Sequence, residues 1–288
     1  MKNPELLKPG GQEQPVSILF SDIADFSRLS QELDPEDLFN FLNEYYDAAL
    51  QGIHRQEGTV VQIIGDAIYA VWNAPVPQPD HAARACRAAM DLHVHLIRFD
   101  AAQRSLPART RVGIHTGMAV VGNLGSKTQF NFATIGKNVN LASRLEGLNK
   151  HLKTDLLATR AIQKFVENEV VSRRIGYFQM KGFGEAIEVH ELLGQLDARL
   201  AESTKPWRDA FAEGLKHFQR KQFALAEQRF RETIELRQAV DQSAIPRGEV
   251  LEKDGPSTFY LERIAEFKQT PPPEHWHGEI EMRDKRTR

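Results

Sequence analysis

Cysteine is nearly missing from this sequence. Cys86 is the only one in 288 residues. No disulfide can form within the chain, which fits a reducing compartment. Long hydrophobic runs are missing too, so nothing reads as a membrane span, and Met1–Glu5 carries no apolar leader. An excess of one charge is also lacking. Lys and Arg number 37 against 39 Asp and Glu, so there is no overall pull toward nucleic acid or an anionic membrane. Together these absences predict a cytoplasmic globular protein. Charged residues make up 26% and hydrophobic residues 41%, which supports a packed core and not a disordered chain.

What is present begins with a short apolar run, Val16 to Phe20, that ends on Asp22. The run is too short and too apolar for a surface helix and reads as a buried strand. A second pair of apolar runs, 59–64 and 67–73, is joined by Gly65-Asp66, a tight hairpin signal. Between them, Leu29, Leu33, Leu38, Phe41, Leu42, Tyr45, Ala49 and Ile53 recur at helical spacing. Asp34-Pro35 divides this stretch into a short and a long helix. A further helix over 80–103 and strands over 111–115 and 119–122 follow.

The order strand, helix, strand, strand, helix, strand is the split βαβ arrangement of ferredoxin-like folds. The chain is therefore expected to be an α+β sandwich, βαββαβ with additional strands. In that topology the first strand pairs antiparallel with the third, so the end of one lies beside the start of the other. Asp22 and Asp66 then meet, and two such carboxylates can hold hard divalent cations. Taken singly, each acid has a plainer reading, as a helix N-cap or a turn residue.

Three segments are expected: a flexible tail over 1–15, rich in Pro and Gly; a main unit over 16–195; and a helical region over 203–288. Trp207, Phe211, Leu215 and Phe218 form one helical stripe of that last region, and Phe223, Ala226, Phe230 and Ile234 another. The pair resembles a single tetratricopeptide-type hairpin, with a Pro-rich tail behind it. One hairpin cannot build a solenoid, so it should pack on the main unit or on a partner.

The motifs together resemble the catalytic domain of class III nucleotide cyclases. They are Phe20-Ser21-Asp22-Ile23, Ile64-Gly65-Asp66-Ala67, Gly113-Ile114-His115-Thr116-Gly117, Val121-Gly122-Asn123 and Ile135-Gly136 through Asn140 to Arg144-Leu145-Glu146, spread over roughly 16–193. The resemblance implies that the 3′-oxygen of a nucleoside triphosphate attacks its own α-phosphorus and expels pyrophosphate. It implies two divalent cations, Mg²⁺ or Mn²⁺, held by Asp22, Asp66 and the Ile23 carbonyl. It assigns phosphate binding to the backbone at Ala24, Asp25 and Phe26, with Gly65 beside the metal aspartate. Asn140 would orient the ribose, Arg144 would stabilise charge at the α-phosphate, and Lys181 would reach the terminal phosphates. Because the acids and the Asn/Arg pair come from different subunits in this family, a homodimer with sites at its interface is implied, and with it a downstream effector that binds the cyclic nucleotide.

The sequence departs from the family at the base. Adenylate cyclases usually place a lysine where Gln62 stands and an Asp or Thr where Ala133 stands. Gln offers a donor and an acceptor, and Ala neither. A guanine reader is not present either. Three readings follow: a cyclase for another base, with a pyrimidine and an antiphage setting favoured; an adenylate cyclase with atypical base selection; or a silent regulatory relative. Two other uses of this strand order, an RNA-binding module and a polymerase palm, need exposed sheet aromatics or a basic stripe. The strands 18–20 and 60–64 read as buried, and no basic stripe is apparent.

Overall fold

The computed structural model describes residues 10–103, 109–126, 129–240 and 254–282, the side chains of 93–103 excepted. Residues 1–9 of the expected tail and 283–288 at the end of the expected helical region lie outside the described residues. Among the described residues the chain forms β1 (Gly10–Ile23), α1 (Phe26–Glu32), α2 (Pro35–Arg55), β2 (Thr59–Ile64), β3 (Ala67–Trp72), α3 (His81–Gln103), β4 (Thr110–Gly125) and β5 (Phe130–Ile135). Then come α4 (Lys137–Leu152), β6 (Leu156–Thr159), α5 (Arg160–Val166), β7 (Val170–Gln179) and β8 (Ile187–Gln195). The chain closes with α6 (Ala198–Gln219), α7 (Phe223–Ala239), α8 (Gly255–Gln269) and β9 (Glu279–Glu281). No helix of the described residues is long and apolar enough to cross a membrane.

The strands form one sheet in the order β2-β3-β1-β4-β6-β8-β7-β9, with β5 added to β4. Its first four strands carry the expected βαββαβ topology. β1 pairs antiparallel with β3 in the register Phe20↔Tyr69 and Ser21↔Ile68. Helices cover both faces. Leu19, Ile23, Ile68, Ala70 and Trp72 pack under α2 and α3. Val16, Ile18, Tyr69 and Val71 pack under α4 on the other face. Alternating residues of each strand serve the two cores, as the two-residue period of a strand requires.

Three expectations need correction. Residues 10–15 are not a tail but the start of β1, paired with β4 from Gly10↔Asn123 to Pro15↔Met118. Among the described residues only β4 flanks this part of β1, so Pro15 sits on an open edge where its missing amide is tolerated. The two strands expected around Thr116-Gly117 are one continuous β4, because the Thr116 hydroxyl donates to the Val16 carbonyl across the pair at 3.1 Å. Finally, β2 is not buried. Ile63 and Ile64 are 41% and 56% exposed, since β2 is an edge strand whose second half is left uncovered by the described residues.

The helical region packs on the main unit. Leu141, Leu145, Leu148 and Leu152 of α4 share one core with Phe178, Phe211, Leu215, Phe218, Phe230 and Tyr260. Asp197 and Asp254 cap α6 and α8 through the amides of Leu200 and Ser257.

Candidate active site

Asp22 ends β1 and Asp66 sits in the two-residue turn between Ile64 and Ala67, with Gly65 at φ 59. That backbone angle suits glycine and lets the turn close tightly. Pairing of β1 with β3 brings the two acids together. The Ile23 amide donates to Asp66 Oδ2 at 2.9 Å. Burial, then a hydrogen bond to Asp22 and its charge, push the Asp66 carboxyl up to about 7. Two adjacent carboxyls, once ionised, form a hard oxygen donor set for a divalent cation, with the Ile23 carbonyl alongside. No group of three or more His, Cys, Asp or Glu able to hold a metal occurs among the described residues. Two carboxylates completed by water and substrate phosphate are the usual mode for Mg²⁺, so the donors present fit it.

Two further residues join this centre, and the sequence reading did not identify either as a site residue. Arg111 lies opposite Asp22 in the β1–β4 register. Its guanidinium donates to Asp22 Oδ2 at 2.6 Å and is ion-paired with Glu146 of α4 at 3.2 Å. Burial, then the charge of Asp22, push Glu146 up to about 7 against the pull of Arg111. The antiparallel register was the available signal: once β1 and β4 pair, Arg111 must face Asp22. Close approach of α4 depends on Gly113. A Cβ there would lie 2.6 Å from the Ala142 carbonyl oxygen and 2.8 Å from the Glu146 Cα.

The start of α4 is braced by a hydrogen-bond chain that runs from the surface into the core. Asn138 Nδ2 donates to the Met118 carbonyl at 2.8 Å, so its Oδ1 accepts from His115 Nε2 at 3.1 Å. His115 Nδ1 then accepts from the Thr159 hydroxyl at 2.8 Å. Burial holds the imidazole down to about 4, so it is neutral near pH 7.

Asn140 is exposed on α4 and Arg144 half-buried one turn later. The Arg144 guanidinium donates to the Lys181 carbonyl in the β7–β8 loop. Among the described residues neither Asn140 nor Arg144 makes a hydrogen bond or ion pair with Asp22 or Asp66. Gln62 is exposed on β2 opposite Tyr69. The Tyr69 hydroxyl donates to the Thr134 carbonyl at 2.9 Å, next to Ala133. Ala133 pairs with Gly122, which pairs with Gly11. The β4 register thus carries Ala133 alongside the start of β1, while the Tyr69–Thr134 bond sets β5 beside β3, whose Tyr69 pairs with Phe20.

The backbone expected to meet phosphate runs from Ala24 to Phe26. The Ala24 amide is spent on the Arg109 carbonyl at 2.7 Å, so Ala24 drops out. Asp25 at φ 58 starts the short α1 without a side-chain cap bond, and Phe26 packs its ring against the core.

The chain was compared with known proteins. Residues 10–194 match the family model described as the adenylate and guanylate cyclase catalytic domain. The chain is 40% identical over 188 residues to "Adenylate cyclase 1" of Rhizobium meliloti (strain 1021), covering 64% of this chain and 28% of that protein. It thus spans little more than a quarter of that relative's length. The structure is similar to that of the guanylyl cyclase Cya2, with TM-score 0.59, 27% identity, and coverage of 66% of this chain and 97% of that one. The adenylyl cyclase CyaB from P. aeruginosa is alike at TM-score 0.58 and 26% identity, over 66% of this chain and 97% of that one.

Proposed function

The chain belongs to the adenylate and guanylate cyclase catalytic domain family, and on that premise we propose that it makes a 3′,5′-cyclic nucleotide from a nucleoside triphosphate. The observation that carries the proposal is the meeting of Asp22 and Asp66 at one end of β1 and β3. In the reaction the ribose 3′-oxygen bonds to the α-phosphorus and the bond to the β-phosphate's bridging oxygen breaks. Pyrophosphate leaves, and the hydroxyl proton passes to solvent.

Two Mg²⁺ or Mn²⁺ ions, when bound, lower the pKa of the 3′-hydroxyl and offset the charge of the triphosphate. Asp22 and Asp66 hold them, and Arg111 with Glu146 keeps the Asp22 carboxylate in place. The backbone at Asp25 and Phe26 borders the phosphates. Asn140 orients the ribose, Arg144 stabilises charge on the α-phosphate, and Lys181 serves the terminal phosphates. These are positioning and electrostatic roles, which suit phosphoryl transfer.

The site is completed by a second copy of the chain. Within one copy, among the described residues, no hydrogen bond or ion pair joins Asn140 or Arg144 to Asp22 or Asp66; Arg144 bonds the Lys181 carbonyl instead. The sheet also exposes Ile63, Ile64, Met118, Val120, Leu124 and Ile135. Such an aliphatic surface suits a protein partner better than base stacking, which needs aromatic rings. A symmetric homodimer supplies both halves twice.

The relative named an adenylate cyclase at 40% identity favours ATP as substrate, with Gln62 reading the base in place of lysine. Gln62 with Ala133 supports a second reading, a pyrimidine cyclase using UTP or CTP. An antiphage role rests on that second reading alone. Under either reading the product is a diffusible signal for a cyclic-nucleotide-binding effector. Incubating the purified protein with Mn²⁺ and each of the four triphosphates, then weighing the products, tests this. One triphosphate should yield its cyclic monophosphate in clear excess; no cyclic product from any of them would overturn the proposal.

A further inference from the structure

Everything after residue 194 lies outside the matched family region, yet this segment reaches the proposed catalytic residues. We propose that its end, from Trp276 through β9, is a positioning element for Arg144, acting through the β7–β8 loop. The inference rests on the catalytic reading given above.

The connection can be followed bond by bond. α6, α7 and α8 enclose an aromatic cluster in which Phe218 meets Trp276 edge-on at 5.1 Å and Phe267 meets it at 5.2 Å. Lys221, at the α6–α7 turn, donates to the carbonyls of Pro273 and Glu274 at 2.8 Å each, fixing the approach to Trp276. The Trp276 indole donates to the Glu279 carbonyl at 2.7 Å. That bond aligns β9, which adds in parallel to β7 in the register Tyr177↔Glu279 and Gln179↔Glu281. Ile280 is buried in the shared core.

β9 thereby holds the last residue of β7. The Met282 amide donates to the Gln179 carbonyl at 3.3 Å, and the Gln179 side-chain amide donates to the Phe183 carbonyl. The Phe183 amide closes the turn onto the Met180 carbonyl at 3.1 Å. Met180 is buried and Phe183 packs on the same core. Within this closed turn, the Lys181 carbonyl accepts from Arg144. The other end of that bond is fixed by the same core, since Leu141, Leu145 and Leu148 of α4 belong to it. A guanidinium must be placed within fractions of an ångström to meet charge that develops only in the transition state. Here the carbonyl that orients it is set by a strand some hundred residues further along the chain.

Trp276 and Ile280 touch no proposed substrate or cation ligand, so their part is indirect. The test uses the full chain with Trp276→Ala, Trp276→Phe and Ile280→Ala, alone and combined with Arg144→Ala. Trp276→Ala and Ile280→Ala should lower kcat about tenfold while KM for the triphosphate changes less than twofold, because only transition-state contacts are lost. Trp276→Phe should recover part of the loss. In the Arg144→Ala background the same changes should cost almost nothing further, since both act through one bond. Hydrogen exchange at residues 180–186 should quicken in Trp276→Ala. Full additivity with Arg144→Ala, or unchanged exchange at 180–186, would overturn the inference. If the unmodified chain makes no cyclic nucleotide, the catalytic reading fails instead, and the exchange result alone still decides whether this segment holds the loop.

Discussion

Asp254 joins the C-terminal helices to the sheet, and replacing it with Asn is the most demanding test of that junction. The carboxylate is fully buried. It accepts from the two terminal nitrogens of Arg173 at 3.1 and 2.7 Å, from Arg237, and from the Ser257 amide at 3.0 Å. Arg173 also donates to Glu191 at 2.6 Å. Two guanidiniums and two carboxylates balance. Asp254→Asn keeps the shape but leaves one buried positive charge without its counterpart. Breaking a buried pair in this way costs about 3–5 kcal/mol, a large share of a total stability of about 5–15 kcal/mol. Both guanidiniums stack on Trp207, at 4.8 and 5.1 Å, so tryptophan fluorescence during guanidinium chloride unfolding reports the site. The arginines hold the Asp254 carboxyl well below the usual carboxylate range, against the cost of burial. Its folded pKa is depressed, so its contribution is complete above about pH 4 and is lost as pH falls below that. The penalty of Asp254→Asn should therefore shrink in acid. A loss under about 1 kcal/mol at pH 7, or a penalty that grows in acid, would refute the reasoning.

Other predictions follow from the site. Gly113→Ala should destabilise the chain by about 1–3 kcal/mol through overpacking, and should lower kcat because α4 is pushed off β4; thermal unfolding and turnover measure the two. Asp66, with its folded pKa raised to about 7, stabilises the cation-free fold at low pH and ceases to as pH rises from about 4 to 7. Mn²⁺ affinity should increase over the same window with release of a proton, seen by calorimetry in buffers of different ionisation enthalpy; binding without proton release contradicts it. Gln62→Ala should change the ratio of kcat/KM between the preferred triphosphate and the others at least tenfold, about 1.4 kcal/mol. An unchanged ratio would remove Gln62 from base selection.

The path from sequence to site was uneven for physical reasons. Hydrophobic periodicity carried the βαββαβ order, and topology then placed Asp22 beside Asp66 without any side-chain information. Pro15 and the Gly10-Gly11 pair concealed the first part of β1, because breaker residues are tolerated where only one neighbour needs hydrogen bonds. Ile63 and Ile64 read as core because apolar residues in a strand look alike whether their cover is the same chain or a partner. Arg111 was hidden because its meaning depends on a pairing partner 89 residues away. β9 is three residues long, too short to show any period. The dependence of Arg144 on the Lys181 carbonyl involves a main-chain acceptor, which no side-chain motif can signal.

The central claim is that one copy supplies Asp22 and Asp66 while another supplies Asn140 and Arg144. Mixing an Asp66→Ala chain with an Arg144→Ala chain, each with only a small residual activity alone, measures this directly. Random pairing makes half the dimers mixed, each with one intact site, so activity should return to about a quarter of the unmodified level. If the mixture is no more active than its parts while the two chains are shown to pair, the shared site does not exist.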